Sequence, residues 1–350
     1  MTDLISPPIS ELLNKAISLR EPMFDPHHRS ALRLFNGFIE GNPELCIDLY
    51  AKSLLFHNYA NPSEKGAETV QLALAFLKER LPWVQSAVVK ERYGESQEKK
   101  SGVVIFGDQL DRKILENDLW YSIDLCMNRD ASLYLDTRFL RDWIIKNLKG
   151  KTVLNTFAYT GSLGVAALGA GASQVVQVEQ NRKFLNCAKD SYSLNGFLIK
   201  KSDFLEGDFW AKVSHLKNKG TLFDAVILDP PFFATSEQGT VDLAQNCKQV
   251  INKIRPLVQN DGYLIVINNA LFLSGKEFMT EIESLCQDGY LSVETMIQIP
   301  PDFAGFPGTE KSPFVTDPAP FNHSTKIIVL RVKRKSQTVK VPPNEVLKKG

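Results

Sequence analysis

The chain has 350 residues, 43% hydrophobic and 23% charged, with 41 basic against 40 acidic side chains and a net charge of +1. That length allows about two domains with a sizeable core. The balance excludes a disordered, collagen-like or disulfide-scaffold protein, and near-zero charge leaves any polyanion to a local patch.

No uncharged apolar run nears the ~18 residues of a membrane span, so no membrane partner is expected. The opening MTDLISPPISELLNK has no basic region ahead of an apolar stretch. A secretory signal is therefore not expected, and the cytoplasm, or an organelle reached by another route, is. Ser10 is placed to cap a helix running to Ser18, ended by Pro22 and Pro26. From Ala31 to Asp136 the pattern is mixed. LCIDLYAKSLLFHNYA reads as two short strands around Ala51 and Lys52, ETVQLALAFLKERL as an amphipathic helix, and SAVVKERY, GVVIFG and LWYSIDLC as strands. Cys46, Cys126, Cys187, Cys247 and Cys286 are an odd number without CxxC spacing, which speaks against a disulfide framework or a zinc site.

From Arg138 strands and helices alternate. RFLRDWIIKNL is a helix, KTVLNTF a strand, GSLGVAALGAG its following helix and SQVVQVEQ the next strand. NRKFLNCAKDSYSLNG is a helix, FDAVILDPPFF an apolar strand, LAQNCKQVINKIRPLV a helix and GYLIVINNA another apolar strand. A helix at EFMTEIESLCQDG precedes the strands SVETMIQIP and TKIIVLRVK. Alternation with fully apolar strands predicts an α/β fold with a mostly parallel sheet covered on both faces. The last two strands lack a helix between them, which allows an antiparallel pair at the sheet's end. The tail from Arg331 is basic.

An open α/β sheet binds ligands beyond the carboxyl ends of its strands. Three segments belong there: the turn Asn155 to Gly161, Glu179 at the end of the second strand, and Asp229-Pro230-Pro231-Phe232. An acid at the second strand's end suits a ribose diol, in NAD or in S-adenosylmethionine. A dinucleotide needs GxGxxG to bring amides to its pyrophosphate. FAYTGSLG lacks the leading GxG, so the methyl donor is preferred over NAD. Two prolines after a buried strand remove two backbone donors and stiffen the exit. Rigid carbonyls beside Phe232 suit a planar base with amino hydrogens.

LNTFAYTGSLGVAALGAGASQVVQVEQ, SYSLNGF, GDFW, DAVILDPPFF and SLYLDTRFLRDWI together resemble the class I S-adenosylmethionine-dependent methyltransferases of large-subunit ribosomal RNA. These include the 23S rRNA cytosine-C5 and guanine-N7 enzymes, and the similarity spans roughly residues 30 to 335. The resemblance implies a Rossmann-like sheet preceded by a small α+β domain. The expected division is a helical extension over 1–29, a small domain facing RNA over 30–136, a methyltransferase domain over 137–335 and a basic tail over 336–350. About 28 residues precede the small domain, too few for the RNA-binding PUA domain of the cytosine members. By motif, Phe157, Tyr159, Thr160 and Gly161 would form the turn under the methionine part of the cofactor. Glu179 would hold the ribose, and Asp208 would accept from the adenine amino group with Phe209 beside the ring. Asp229 would lie near the methionine ammonium and open the base pocket. Asp136 and Arg138, in a segment like the family's FLDxR pattern, are candidates for holding the cofactor or closing the pocket.

Methylation of cytosine C5 needs a cysteine thiolate to add to C6, and cytosine-C5 relatives keep that cysteine just after the fifth strand. Here that strand ends Asn268-Asn269, a pair the guanine-N7 relatives carry. N7 has a free lone pair, so positioning suffices. Asn268 is the expected substrate contact, and a purine nitrogen, guanine N7 foremost, is preferred over cytosine C5. In the stretch 300–324, Phe303, Phe306, Phe314 and Phe321 could stack on an extruded base, or simply pack onto the sheet's end. The expected partner is 23S-type rRNA or a ribosomal assembly intermediate. A homodimer, a small-molecule or protein substrate, and a binding protein that keeps the fold without turnover stay open.

Overall fold

The computed structural model describes residues 7–231, 233–236, 239–242, 246–309 and 315–334; for 233–236 and 239–242 it describes the backbone alone. Phe232, Phe314 and the tail 335–350 lie outside the described residues.

The first part is an α+β unit: α1 (Ile9–Arg20), β1 (Ala31–Asn36), α2 (Gly37–Glu40), β2 (Leu45–Tyr50), β3 (Ser53–Asn58), α3 (Ala67–Arg80), β4 (Ser86–Glu91), α4 (Gln97–Ser101) and β5 (Val103–Phe106). Its five-stranded sheet has the order β1-β2-β3-β4-β5. Neighbours are antiparallel except β3 and β4, which run parallel because α3 carries the chain back across the sheet. Every residue of β2 and β3 is buried, so both faces are covered. On the outer face Leu34, Ile47 and Phe56 pack against Leu13 and Ile17 of α1 and Leu74 and Leu77 of α3. The first helix starts at Ile9 behind Pro8, with no side-chain cap. The cap expected of Ser10 is thus corrected: Pro8 holds an extended backbone and its carbonyl accepts from Glu11 N.

A two-stranded ribbon, β6 (Lys113–Glu116) with β7 (Leu119–Ser122), leads into the second part. There follow α5 (Arg138–Asn147), β8 (Thr152–Thr156), α6 (Ser162–Gly169), β9 (Gln174–Glu179), α7 (Arg182–Leu194), β10 (Phe204–Glu206), α8 (Phe209–Asn218) and β11 (Phe223–Leu228). A ribbon of β12 (Phe233–Ser236) and β13 (Gly239–Asp242) precedes α9 (Cys247–Ile254) and β14 (Val258–Asn268). The chain continues through α10 (Gly275–Cys286), β15 (Leu291–Ile297), α11 (Pro301–Ala304) and β16 (Lys326–Val332). The helices follow from spacing: in α7 the buried Leu185, Ala188 and Tyr192 recur every three or four residues. Ser274 and Glu277 close a capping box on α10.

The seven-stranded sheet has the order β10-β9-β8-β11-β14-β16-β15. Its first five strands are parallel, while β16 is antiparallel to both β14 and β15. This is a Rossmann-like sheet of the class I methyltransferase kind, with the antiparallel end that the sequence pattern allowed; the connection between its last two strands holds only the four-residue α11.

The two sheets share a core. Tyr50, Leu55 and Val88 of the small sheet belong to one buried cluster with Ile265, Ile267 and Val329 of the large one. The same inner face carries a polar row, Asn36-Cys46-His57-Lys90, aligned across β1 to β4. Lys90 donates to the carbonyls of Asn128 (2.7 Å) and Asp130 (2.8 Å), and the Tyr50 hydroxyl to that of Leu133 (2.8 Å). The small sheet therefore holds segment 128–136 in place.

Candidate cofactor and substrate site

A cavity of about 510 Å³ opens at the carboxyl ends of β8, β9, β11 and β14. Its first wall is the turn after β8. Phe157, Tyr159 and Gly161 all take left-handed backbone, with φ of 54°, 51° and 76°. Bulky side chains seldom adopt this, and such strain collects at binding sites. Here it is held by Ala158 N on the Val178 carbonyl (2.8 Å) and Tyr159 N on Glu179 Oε2 (2.9 Å). Phe157 and Tyr159 line the cavity. Thr160 and Gly161 do not: Thr160 is buried, donating to the Ser132 carbonyl, and Gly161 immediately precedes α6. Both complete the turn from behind its cavity-facing residues, with Gly161 N donating to the Ala158 carbonyl (2.8 Å).

Glu179 lines the second side. Its oxygens accept from Tyr159 N and from Asn181 N (2.8 Å), so the carboxylate is aimed by backbone and still has lone pairs for two ribose hydroxyls. Beyond it Asp208 caps α8, accepting from Ala211 N (3.0 Å), and faces the cavity beside Phe209 and Trp210. Phe209 stacks on Phe157 with ring centroids 4.5 Å apart. A flat ring system fits against such a pair.

The floor is Asp229-Pro230-Pro231, with Asp136 on the facing wall. Asp136 accepts from the Thr325 hydroxyl (3.1 Å). Burial, and then the charge of Asp136, push the Asp229 carboxyl up to about 7. Two carboxylates in one partly enclosed cavity favour a cationic ligand, which matches the ammonium and sulfonium of S-adenosylmethionine. Arg138 does not reach the cavity. Its guanidinium binds Asp302 (3.0 Å) and lies 3.7 Å from Glu116. The pocket-closing expectation for Arg138 is therefore corrected: it ties α5 to α11.

Asn268 is corrected as well. It is fully buried, with Oδ1 accepting from Ala270 N (3.0 Å), whereas its neighbour Asn269 is exposed and lines the cavity. Alternation along β14 explains the choice, since successive side chains point to opposite faces. Phe303 and Phe321 are buried, Phe303 beneath the Arg33 guanidinium and Phe321 against Phe278; Arg20 lies over Phe306. The packing alternative holds for these three.

Sequence reasoning missed Asn128, Asp130, Tyr134, Phe184, Trp210 and Thr325, all of which line the cavity. The Tyr159 hydroxyl donates to the Ala131 carbonyl (2.8 Å), and Tyr134 lies 5.2 Å from the Tyr159 ring. The acid-and-aromatic run from Asn128 to Asp136 was the available signal, but nothing local places it over the turn. Among the described residues no His, Cys, Asp and Glu cluster could hold a metal, and no helix is long and apolar enough to cross a membrane.

Sheet order, strained turn and acid-lined cavity define a nucleoside-cofactor enzyme of the class I methyltransferase kind. Residues 33–310 match the family described as S-adenosylmethionine-dependent methyltransferase. The chain belongs to that family: it is an S-adenosylmethionine-dependent methyltransferase, and S-adenosylmethionine is its cofactor. It is similar to Ribosomal RNA large subunit methyltransferase I of Aliivibrio fischeri strain ES114, 28% identical over 290 residues, covering 81% of this chain and 72% of that one. The enzyme of the same name from Aeromonas salmonicida is 30% identical over 255 residues, covering 72% and 64%. Among solved structures SMU.776, determined in complex with SAH, superposes with a TM-score of 0.80 at 21% identity, covering 93% of this chain and 81% of that one.

Proposed function

We propose that the enzyme methylates a nucleobase of RNA, in particular large-subunit ribosomal RNA, at a purine nitrogen such as guanine N7. The names of its relatives support RNA as the substrate class. The observation that carries the choice of nitrogen is the placement of the cysteines. Carbon methylation at cytosine C5 needs a thiolate that adds to C6. None of the chain's five cysteines lines the cavity. Cys247, at the start of α9, is buried, and burial pushes its thiol up to about 12.

When bound, the cofactor supplies an electrophilic methyl group. In this reading Asp229 holds the ammonium, Glu179 the ribose hydroxyls and Asp208 the adenine amino group, with Phe157 and Phe209 beside the ring. Pro230 and Pro231 offer carbonyls and no N–H, and so accept from a base's amino hydrogens. Asn269, rather than Asn268, gives its amide to the acceptor edge of the base. The lone pair on N7 is already free, so alignment does the work and no general base is needed.

Nucleoside mass spectrometry of ribosomal RNA from cells with and without the gene tests the proposal. The expected result is loss of one methylguanosine. Loss of 5-methylcytidine would overturn the choice of nitrogen, and an unchanged set of nucleosides would overturn ribosomal RNA as substrate.

A further inference from the structure

The edge formed where β1, β3 and β4 of the small sheet end carries aromatic rings and guanidiniums together. Phe38 follows β1, Tyr59 follows β3, and Arg92 and Tyr93 follow β4, so three strand ends bring them together. The Phe38 and Tyr59 rings meet edge to face at 5.0 Å, and the Arg92 guanidinium lies 5.7 Å from the Tyr59 ring centre. Arg92 binds Asp130 (2.9 Å), whose side chain lines the cavity. Arg129, exposed between the cavity residues Asn128 and Asp130, donates to the Arg92 carbonyl (2.9 Å). The row ends at Tyr134, which is both exposed and part of the cavity wall. Phe38, Tyr93 and Tyr134 are 41%, 56% and 42% exposed, so each presents ring surface to solvent.

We propose that this edge is the track for the single-stranded RNA flanking the methylated nucleotide, with Phe38, Tyr59 and Tyr93 as stacking faces and Arg129 as a phosphate contact. It rests on the reading of RNA as substrate. Rings interleaved with guanidiniums are what a single strand requires: every base has a face to stack and every step carries a phosphate. The row reaches the cavity wall at Asp130, which Arg92 binds, and at Tyr134. Arg92 is neutralised by Asp130, so Arg129 contributes the charge. Lys90, buried and bound to the carbonyls on either side of Arg129, fixes it relative to the cavity.

The test uses the full chain, a ribosomal RNA transcript and the variants Phe38→Ala, Tyr93→Ser and Arg129→Ala, each checked by thermal melting. Cofactor binding should stay unchanged. The KM for the transcript should rise about tenfold for each lost ring. Arg129→Ala should flatten the salt dependence of RNA binding by about 0.7 in log-log slope, and Arg129→Lys should restore it. Unchanged KM and salt slope in all three variants, with wild-type activity on the transcript intact, would overturn the track and leave the RNA reading standing. A wild-type enzyme that neither binds nor methylates the transcript would overturn both.

Discussion

Asp229 sits where two negative charges meet, and its titration is the most direct handle on the site. Its carboxyl is raised from an ordinary 3.8 to about 7, by burial first and by Asp136 second. Without ligand, the folded protein therefore binds more protons than the unfolded chain between about 4 and about 7. Stability from this group is greatest at low pH and is lost as pH rises through that window. Cofactor binding has the opposite slope, because only the carboxylate can hold an ammonium. The Kd for S-adenosylmethionine should weaken by up to about tenfold per unit as pH falls below 7 and level off above it. Calorimetric titration from pH 5.5 to 8.5 measures this, and Asp229→Asn should bind weakly and lose the slope. At β14 the adjacent amides separate by role. Asn269→Ala should lower methyl transfer while leaving the cofactor Kd nearly unchanged. Asn268→Ala should instead cost about 1–3 kcal/mol of stability, because it strands a buried N–H. Denaturant melts and single-turnover rates distinguish the two, and the reverse pattern would return Asn268 to the substrate.

At the scale of elements, two strand ends are held together by one buried ammonium. Lys326, 1% exposed at the start of β16, donates to the carbonyls of Ala270 (3.0 Å) and Ser324 (2.6 Å). Ala270 follows Asn269 and Ser324 precedes Thr325, so this cross-link fixes both cavity residues. Lys326→Met keeps the aliphatic stem but removes the donor from two carbonyls. Denaturant unfolding should show a loss of about 1–3 kcal/mol, and kcat should fall more than the cofactor Kd rises. Beneath the turn after β8, Gln177 donates to the Gly161 carbonyl (3.3 Å) and accepts from Asn155 (2.8 Å). A Cβ on Gly164 would come within 2.0 Å of the Gln177 amide, which is why α6 keeps a glycine there. Elements with strong patterns were legible in the sequence. The apolar runs of β11 and β14, set between helical patterns, read as buried strands, and the paired prolines mark where β11 stops. β6 was not legible, since KILE is short and half charged and earns its strand only by pairing with β7.

Over the whole molecule the two sheets are joined by charge as well as by their common core. Asp302 of α11 is fully buried; it binds Arg138 and accepts from Arg33 N (2.9 Å), while its carbonyl accepts from Arg20 (3.2 Å). The carboxylate thus links β1 and α5 to the connection from β15 to β16, and the backbone carbonyl of the same residue adds α1. Calorimetry of the wild type should give one cooperative transition, as a shared core requires. Asp302→Ala should lower stability by about 3–5 kcal/mol, because Arg138 and Arg33 N lose a buried partner. Two independent transitions in the wild type would contradict this coupling. The sequence by itself determined the alternating α/β layering, the main strands and helices from α5 to β16, the absence of a dinucleotide turn and the acids at the ends of β9 and β11, because each depends on local periodicity or on a few adjacent residues. Only the tertiary structure decided that Asn269 and not Asn268 faces the cavity, that Arg138 serves Asp302, and that the small sheet fixes segment 128–136 over the site. Those outcomes depend on which face of a strand meets which neighbour, and on partners 38 to 164 residues apart.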